Sequence, residues 1–320
     1  MTELTSKILT ACRNALNQCL VAKSGESVLI VNDPTRTDLV GSFKTAAKEI
    51  TDKVEVITFP GTKGNGQEPT LVVAQKLLSA NIAFLITRYS LSHTKARKNA
   101  CEAGCRIASM PGITLEMIAR TLSADYLKIA KLSNQLANIL TKADTARLTS
   151  PSGTNLSFML TNRLGFADTG IYTKPGSWGN LPAGEACIGP LENKTQGTLV
   201  IDGALADIDL DQPIKININN GFATNITGGN AAKKLKSQLN AVGPEAFQIA
   251  ELGIGTNPLA ILQSDILEAE KVYGTCHVAL GNNLSYGGTI NVPFHSDGLI
   301  TQPTLTIDGK IILKAGKFNL

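Results

Sequence analysis

Apolar residues in the first 145 positions come in short unbroken runs separated by stretches of helical spacing. Val28, Leu29, Ile30 and Val31 are consecutive within GESVLIVND (25–33), which predicts a strand buried on both faces. Residues 38–50 have a helical pattern, and VEVITFP (54–60) predicts a second strand ending at Pro60. Residues 69–80 predict a helix with Pro69 near its start. AFLITR (83–88) is a third strand and SHTKARKNACEAG (92–104) a helix closed by Gly104. CRIASMPG (105–112) is a fourth strand, Thr114 caps a further helix, and a long helix runs from about 124 to 142. Alternation of strand and helix predicts an α/β unit with a mostly parallel sheet.

The pattern changes near residue 145. TARLTSPSGTNLSFML (145–160) reads as two strands around a Pro-Ser-Gly turn. Strands follow at about 197–203 and 213–219, with a helix at 230–240. TLTIDGKIILKAG (304–316) places Asp-Gly between apolar runs, a hairpin signal. The fold expected is therefore an N-terminal α/β domain over 1–144 and a C-terminal α+β domain over 145–320, rich in antiparallel strands.

A length of 320 residues suits two domains of ordinary size. With 43% apolar, 18% charged and 5% aromatic residues, the chain has the composition of a soluble globular protein with an aliphatic core. The net charge is only +4, and basic residues neither cluster nor interleave with aromatics, so nucleic acid is not an expected partner. The apolar runs fall short of the ~18–20 residues that span a bilayer, so no membrane association is expected. MTELTSKILTACRNALNQCL reads as an amphipathic helix rather than a signal peptide. The six scattered cysteines then read as reduced thiols in a cytoplasmic protein. No G-x-G-x-x-G follows the first strand and no Walker A sequence occurs; GTKGNG (61–66) has the wrong glycine spacing for dinucleotide binding.

Candidate chemistry concentrates in 270–298, EKVYGTCHVALGNNLSYGGTINVPFHSDG, which holds His277 and His295 of the chain's three histidines. Asp297 lies two residues beyond His295, and residues i and i+2 of an extended strand project to one side. Imidazole and carboxylate together suit Zn²⁺, Co²⁺, Mn²⁺ or Fe²⁺. Glu185 in WGNLPAGEACIGP (178–190) and Glu251 in AELGIGTNP (250–258) are the carboxylates expected to complete the site, both on Gly- and Pro-rich loops. Most glutamates are solvated loop residues, so composition alone does not assign these two. Cys276 and His277, being consecutive, should face opposite ways on a strand and form no dyad. Lys271 reads as one half of a surface ion pair and His93 as structural. No G-x-S-x-G elbow is present.

GNLPAGE (179–185), ELGIGTNP (251–258), EKVYGTCHVALG (270–281) and PFHSDG (293–298) resemble, in order and spacing, the motif series of the aminopeptidase T family of metallopeptidases. The resemblance covers most of the chain from about residue 80. It implies a homodimer and a dinuclear centre of Zn, Co or Mn with ligands Glu185, Glu251, His277 and Asp297, and His295 at or beside the metals. Glu251 would bridge, Glu185 would shuttle a proton, and Tyr286 would support the intermediate. The implied activity is release of N-terminal amino acids from peptides by a metal-activated water. A relative of the same fold, 2,5-dihydroxypyridine dioxygenase, offers the alternative: one Fe(II) held by His277, His295 and Asp297, with ring cleavage of a small aromatic diol. Glu185 and Glu251, each in a motif context matching the peptidases, make hydrolysis the expected reaction.

Overall fold

A computed structural model describes residues 3–263 and 265–320. The chain forms two compact units, one made of the residues up to Ala130 together with Asp168–Ala183, the other of Lys131–Ala167 and Gly184–Leu320. A single cut at 144/145 does not describe them. The first boundary falls inside the helix Tyr126–Thr141, and residues 168–183 return to the first unit because their strand completes its sheet.

The first unit is built on five parallel strands in the order Val54–Thr58, Val28–Asn32, Ile82–Ile86, Arg106–Ser109, Trp178–Asn180. The unbroken apolar runs take the central places: every residue of Val28–Asn32 and Ile82–Ile86 is buried. Val54–Thr58 lies at the edge and is half exposed. Helices connect the strands. Thr94 and Thr114 cap theirs by accepting from the backbone N–H groups of Arg97 and Met117, each at 3.2 Å. The fifth strand lies in a segment expected to be loop.

The second unit carries two antiparallel sheets. The larger has eight strands in the order Phe222–Thr227, Ile214–Asn219, Gln196–Ile201, Asn155–Met159, Thr145–Thr149, Thr304–Ile307, Lys310–Lys314, Lys317–Phe318. The expected hairpin is present, with Asp308 and Gly309 both at positive φ (45° and 80°), the geometry an Asp-Gly turn favours. The smaller sheet has the order His295–Ile300, Cys276–Gly281, Ile249–Gly255, Glu185–Ile188, Gly165–Asp168. Aliphatic residues from both sheets and from the helix Gly229–Val242 share one core, with Leu156, Leu199 and Ile216 from the larger sheet and Leu252, Val278 and Ile300 from the smaller. The α/β plus α+β architecture expected from the sequence is the one observed. The expected loops around Glu185 and Glu251 are a correction: both residues lie on strands, and Ile249–Gly255 is buried throughout. Glycine within a strand marks a close approach by another group rather than a loop.

Candidate metal centre

Side chains alternate across the smaller sheet. One face presents Ala186, Ile188, Leu252, Ile254, Cys276, Val278, Leu280 and Ile300 to the core. The opposite face follows from register. Glu251 pairs with Ala279, Ala279 with Asp297, Gly253 with both His277 and Cys187, Gly255 with Glu185, and Gly281 with His295. Directly paired residues of antiparallel strands share a face. Glu185, Cys187, Glu251, His277, His295 and Asp297 therefore stand together, among positions kept small as Gly253, Gly255, Ala279 and Gly281. Cys276 points into the core, away from His277.

Glu251 is the hub. Its Oε1 lies 3.6 Å from His277 Nε2 and its Oε2 lies 3.1 Å from His295 Nε2. His277 Nε2 is also 3.4 Å from Glu185 Oε2, and His295 Nε2 is 3.5 Å from Asp297 Oδ1. Two sets of ligand atoms could hold a metal ion, Glu185–Glu251–His277 and Glu251–His295–Asp297, each within 4.8 Å of one another. Hydrogen bonds between groups of opposite charge run ~2.7–2.9 Å. Atoms each ~2.1 Å from one ion lie ~3.0–3.4 Å apart. The observed separations of 3.1–3.6 Å are longer than such hydrogen bonds and nearer the second spacing, and the buried Asp297 Oδ1 accepts no hydrogen bond. The donor set and its spacing fit a divalent cation of the first transition row.

The surroundings fix these groups. The ring of His277 lies over Gly253, where a Cβ would come 1.9 Å from Nε2, so no side chain is admissible there. His295 Nδ1 lies 2.8 Å from the carbonyl oxygen of Asn282. As donor to that oxygen, Nδ1–H leaves Nε2 as the lone pair turned to the carboxylates, the usual orientation of a ligating histidine. Tyr286 stacks on His295 with centroids 5.6 Å apart and meets Phe166 edge-on at 6.1 Å. The loop carrying Tyr286 is tied down by Glu192, which accepts from Asn283 Nδ2, from Thr289 N–H and from Arg163; Arg163 also donates to the Gly287 carbonyl.

The electrostatics follow from burial and crowding. Burial disfavours the Glu251 carboxylate, but the adjacent imidazoles of His277 and His295 outweigh it and hold its pKa below the ordinary carboxylate range. Burial also opposes a charged His277, yet Glu251 and Glu185 push its pKa up to about 9. Asp297 and Glu251 raise His295 in the same way, again against burial. Burial, with the neighbouring carboxylates, raises Tyr286 and keeps its phenol protonated.

All five sequence-chosen ligand candidates meet on this face, and Tyr286 stands against one of them. The triad His277, His295 and Asp297 does not close as one group; Glu251 stands between the imidazoles. Lys271 is a correction. Its side chain is 1% exposed rather than on the surface, with Nζ 2.8 Å from Glu185 Oε1 and 2.7 Å from Glu270 Oε1. Cys187, whose place next to a candidate ligand suggests no more than a buried core thiol, is buried on the ligand face instead, and burial and the carboxylates raise its pKa. A period-two reading of Glu185-Ala-Cys187 finds it once the segment is known to be a strand.

A sheet face on which two imidazoles and three carboxylates converge, with Glu251 and His277 buried and His295 at its exposed edge, defines a candidate metalloprotein on an α/β plus α+β scaffold. The chain belongs to the NicX family, 2,5-dihydroxypyridine 5,6-dioxygenase, which it matches over residues 7–320. It is 25% identical over 307 residues to the 2,5-dihydroxypyridine 5,6-dioxygenase of Pseudomonas putida KT2440, a match covering 87% of this chain and 86% of the relative. Among solved structures, that of the 2,5-dihydroxypyridine dioxygenase from Pseudomonas putida KT2440 is similar with a TM-score of 0.82 at 21% identity, covering 98% of this chain and 97% of the other. Wild-type AmpT from Thermus thermophilus follows with a TM-score of 0.73 at 16% identity, covering 98% and 99%. At those identities the two structures show the shared fold alone. The expected hydrolase, aminopeptidase and protease activity on peptides is overturned by the family match, and the peptidase kinship reduces to a common scaffold. Glu185 and Glu251 misled because their motifs were read as marks of hydrolysis. Among the described residues, no helix is long and apolar enough to cross a membrane.

Proposed function

We propose that this protein is a ring-cleaving dioxygenase of a dihydroxypyridine-like aromatic diol, using one Fe(II) on the charged face of the smaller sheet. The observation that carries the reading is the family match over 7–320 together with the imidazole–carboxylate cluster on that face. Glu251, His295 and Asp297 would hold the ion, with His277 facing the other oxygen of Glu251. When bound, ferrous iron supplies the open coordination positions and one-electron chemistry that oxygenative ring cleavage requires.

The residues around it have separable tasks. The Asn282 carbonyl keeps His295 in the ligating tautomer. Tyr286 and Phe166 provide an aromatic wall beside His295, suited to a flat ring, and the protonated Tyr286 hydroxyl is a donor for a substrate oxygen. His277, buried between Glu185 and Glu251, is placed to accept or return a proton during cleavage. The direct test loads metal-free protein with Fe(II) anaerobically, then adds 2,5-dihydroxypyridine and air-saturated buffer. The expected result is loss of the ring's absorbance with one O₂ consumed per ring. Oxygen uptake no faster than with free Fe(II) would overturn the reading.

A further inference from the structure

Glu251 presents its two oxygens to two different neighbourhoods. Oε2 faces His295, with Asp297 beyond it; Oε1 faces His277, with Glu185 beyond it. Each neighbourhood closes a set of three ligand atoms, and a carboxylate shared between two such sets can bridge two ions. Ligand geometry alone therefore does not limit this face to one ion.

The two sides differ in charge. On the Asp297 side the carboxylates face an imidazole, which is neutral as a metal ligand. On the Glu185 side stands an ammonium, Lys271 Nζ, 2.8 Å from Glu185 Oε1. It is held there. The side chain is 1% exposed, and Glu270 Oε1 grips the ammonium from the other side at 2.7 Å. The backbone is pinned by Lys271 N–H donating to Glu268 O at 3.0 Å and Lys271 O accepting from Asn257 N–H at 2.8 Å.

We propose that Lys271 limits this centre to a single divalent ion, its ammonium standing where the charge of a second ion would otherwise be needed. Glu185 reaches the face already paired with an ammonium, which it shares with Glu270. A dication placed among Glu185, Glu251 and His277 would share Glu185 with the ammonium and be repelled by it at close range in a partly dehydrated site. Lys271 is thus a positioning and selectivity residue acting through Glu185, and it separates a one-ion site from a two-ion site on the same ligand frame. The inference rests on the metal-centre reading above.

The test is titration of the metal-free full-length protein with Mn²⁺, read by stoichiometry and by electron paramagnetic resonance, where two ions sharing a carboxylate give an exchange-coupled signal. Wild type is expected to bind one Mn²⁺ with an uncoupled six-line spectrum, the second ion binding ~100-fold or more weakly. Lys271→Gln is expected to bind two with the coupled signal, and Lys271→Arg to stay at one. Should the single variant fail to fold, Lys271→Gln combined with Glu270→Gln removes the buried pair together and carries the same expectation. Two tightly held ions in wild type, or a folded charge-removed variant that still takes one, would overturn the role of Lys271 and leave the metal centre standing. A wild-type chain that binds no Mn²⁺, Zn²⁺ or Fe²⁺ would overturn the metal centre itself.

Discussion

The parallel sheet of the first unit and the smaller antiparallel sheet of the second each have five strands, and they use burial in opposite ways. The central strands of the parallel sheet are largely apolar on both faces, and among the described residues a buried acid of this sheet appears only at a strand end. There Asp33 accepts from Thr35 N–H at 2.9 Å and Thr35 Oγ1 at 2.5 Å, and from Arg88 N–H. The antiparallel sheet gives one face to the core and buries Glu251 and His277 at the middle of the other. Buried charge is costly unless paired. The first sheet keeps buried charge to strand ends, where Asp33 is hydrogen-bonded and Arg106 is paired with Glu26 at 2.6 Å; the second gathers opposite charges at its middle, and the resulting cluster is what an ion can enter. Aliphatic strands thus contribute stability without chemistry, and one strand face of small residues makes room for chemistry at some cost in stability.

The sharpest break of this contrast is Glu251→Ala. It removes the carboxylate common to both ligand sets and should lower metal affinity more than ~100-fold while leaving a folded protein, measured by metal analysis and circular dichroism. Retention of stoichiometric metal would detach Glu251 from the centre. Gly253→Ala comes next. The added Cβ must displace the His277 ring, so turnover should fall ~10–100-fold although no charged group is touched. Unchanged kinetics would show that the position of this ring does not matter.

Leu85→Ala in the parallel sheet tests the other half. Leu85 is fully buried, and its truncation should cost ~2–5 kcal/mol by denaturant unfolding while metal stoichiometry stays unchanged. A smaller effect follows pH. In the metal-free protein the pKa of His277 is about 9, above its ordinary 6.5. Its stabilising contribution is therefore fully present below pH 6.5 and lost as pH rises through 9. The melting temperature of metal-free protein should fall across that window. Metal affinity should rise with pH, because the raised pKa of His295 means that ligation must displace its proton. Calorimetry in buffers of different ionisation enthalpy reads that proton release. The smallest change is Gly41→Ala, on the helix Thr37–Lys48, where an added Cβ meets nothing within 4 Å. It should stabilise by ~0.5–1 kcal/mol and leave the centre unaffected. A loss of stability there would contradict the geometry.

The contrast also accounts for what was legible. The parallel strands were found from unbroken apolar runs, because burial on both faces leaves no polar interruption. The strands Glu185–Ile188 and Ile249–Gly255 were taken for loops, because glycines at 184, 189, 253 and 255 are turn signals when read locally. Gly253 is instead a strand residue emptied to admit His277. Lys271 was assigned to the surface because charged residues usually lie there; its burial depends on partners 86 positions earlier and one position earlier in the chain, Glu185 and Glu270. The reaction was misjudged for a related reason. The 2,5-dihydroxypyridine dioxygenase and AmpT structures share this fold, and a motif series read on a shared fold does not fix the reaction.

By itself the sequence determined the alternating first unit, the antiparallel second unit and the Asp308-Gly309 turn, and it singled out the imidazoles and carboxylates that meet on one sheet face, since each depends on local periodicity, turn chemistry or residue type. Only the tertiary structure decided that Glu251 stands between two ligand sets, that His277 rests on Gly253, that residues 168–183 return to the first unit, and that Lys271 is buried between Glu185 and Glu270. Those are relations across strand register and between segments distant in the chain. They are fixed by which side chains share a buried face, a quantity that no local window of sequence contains.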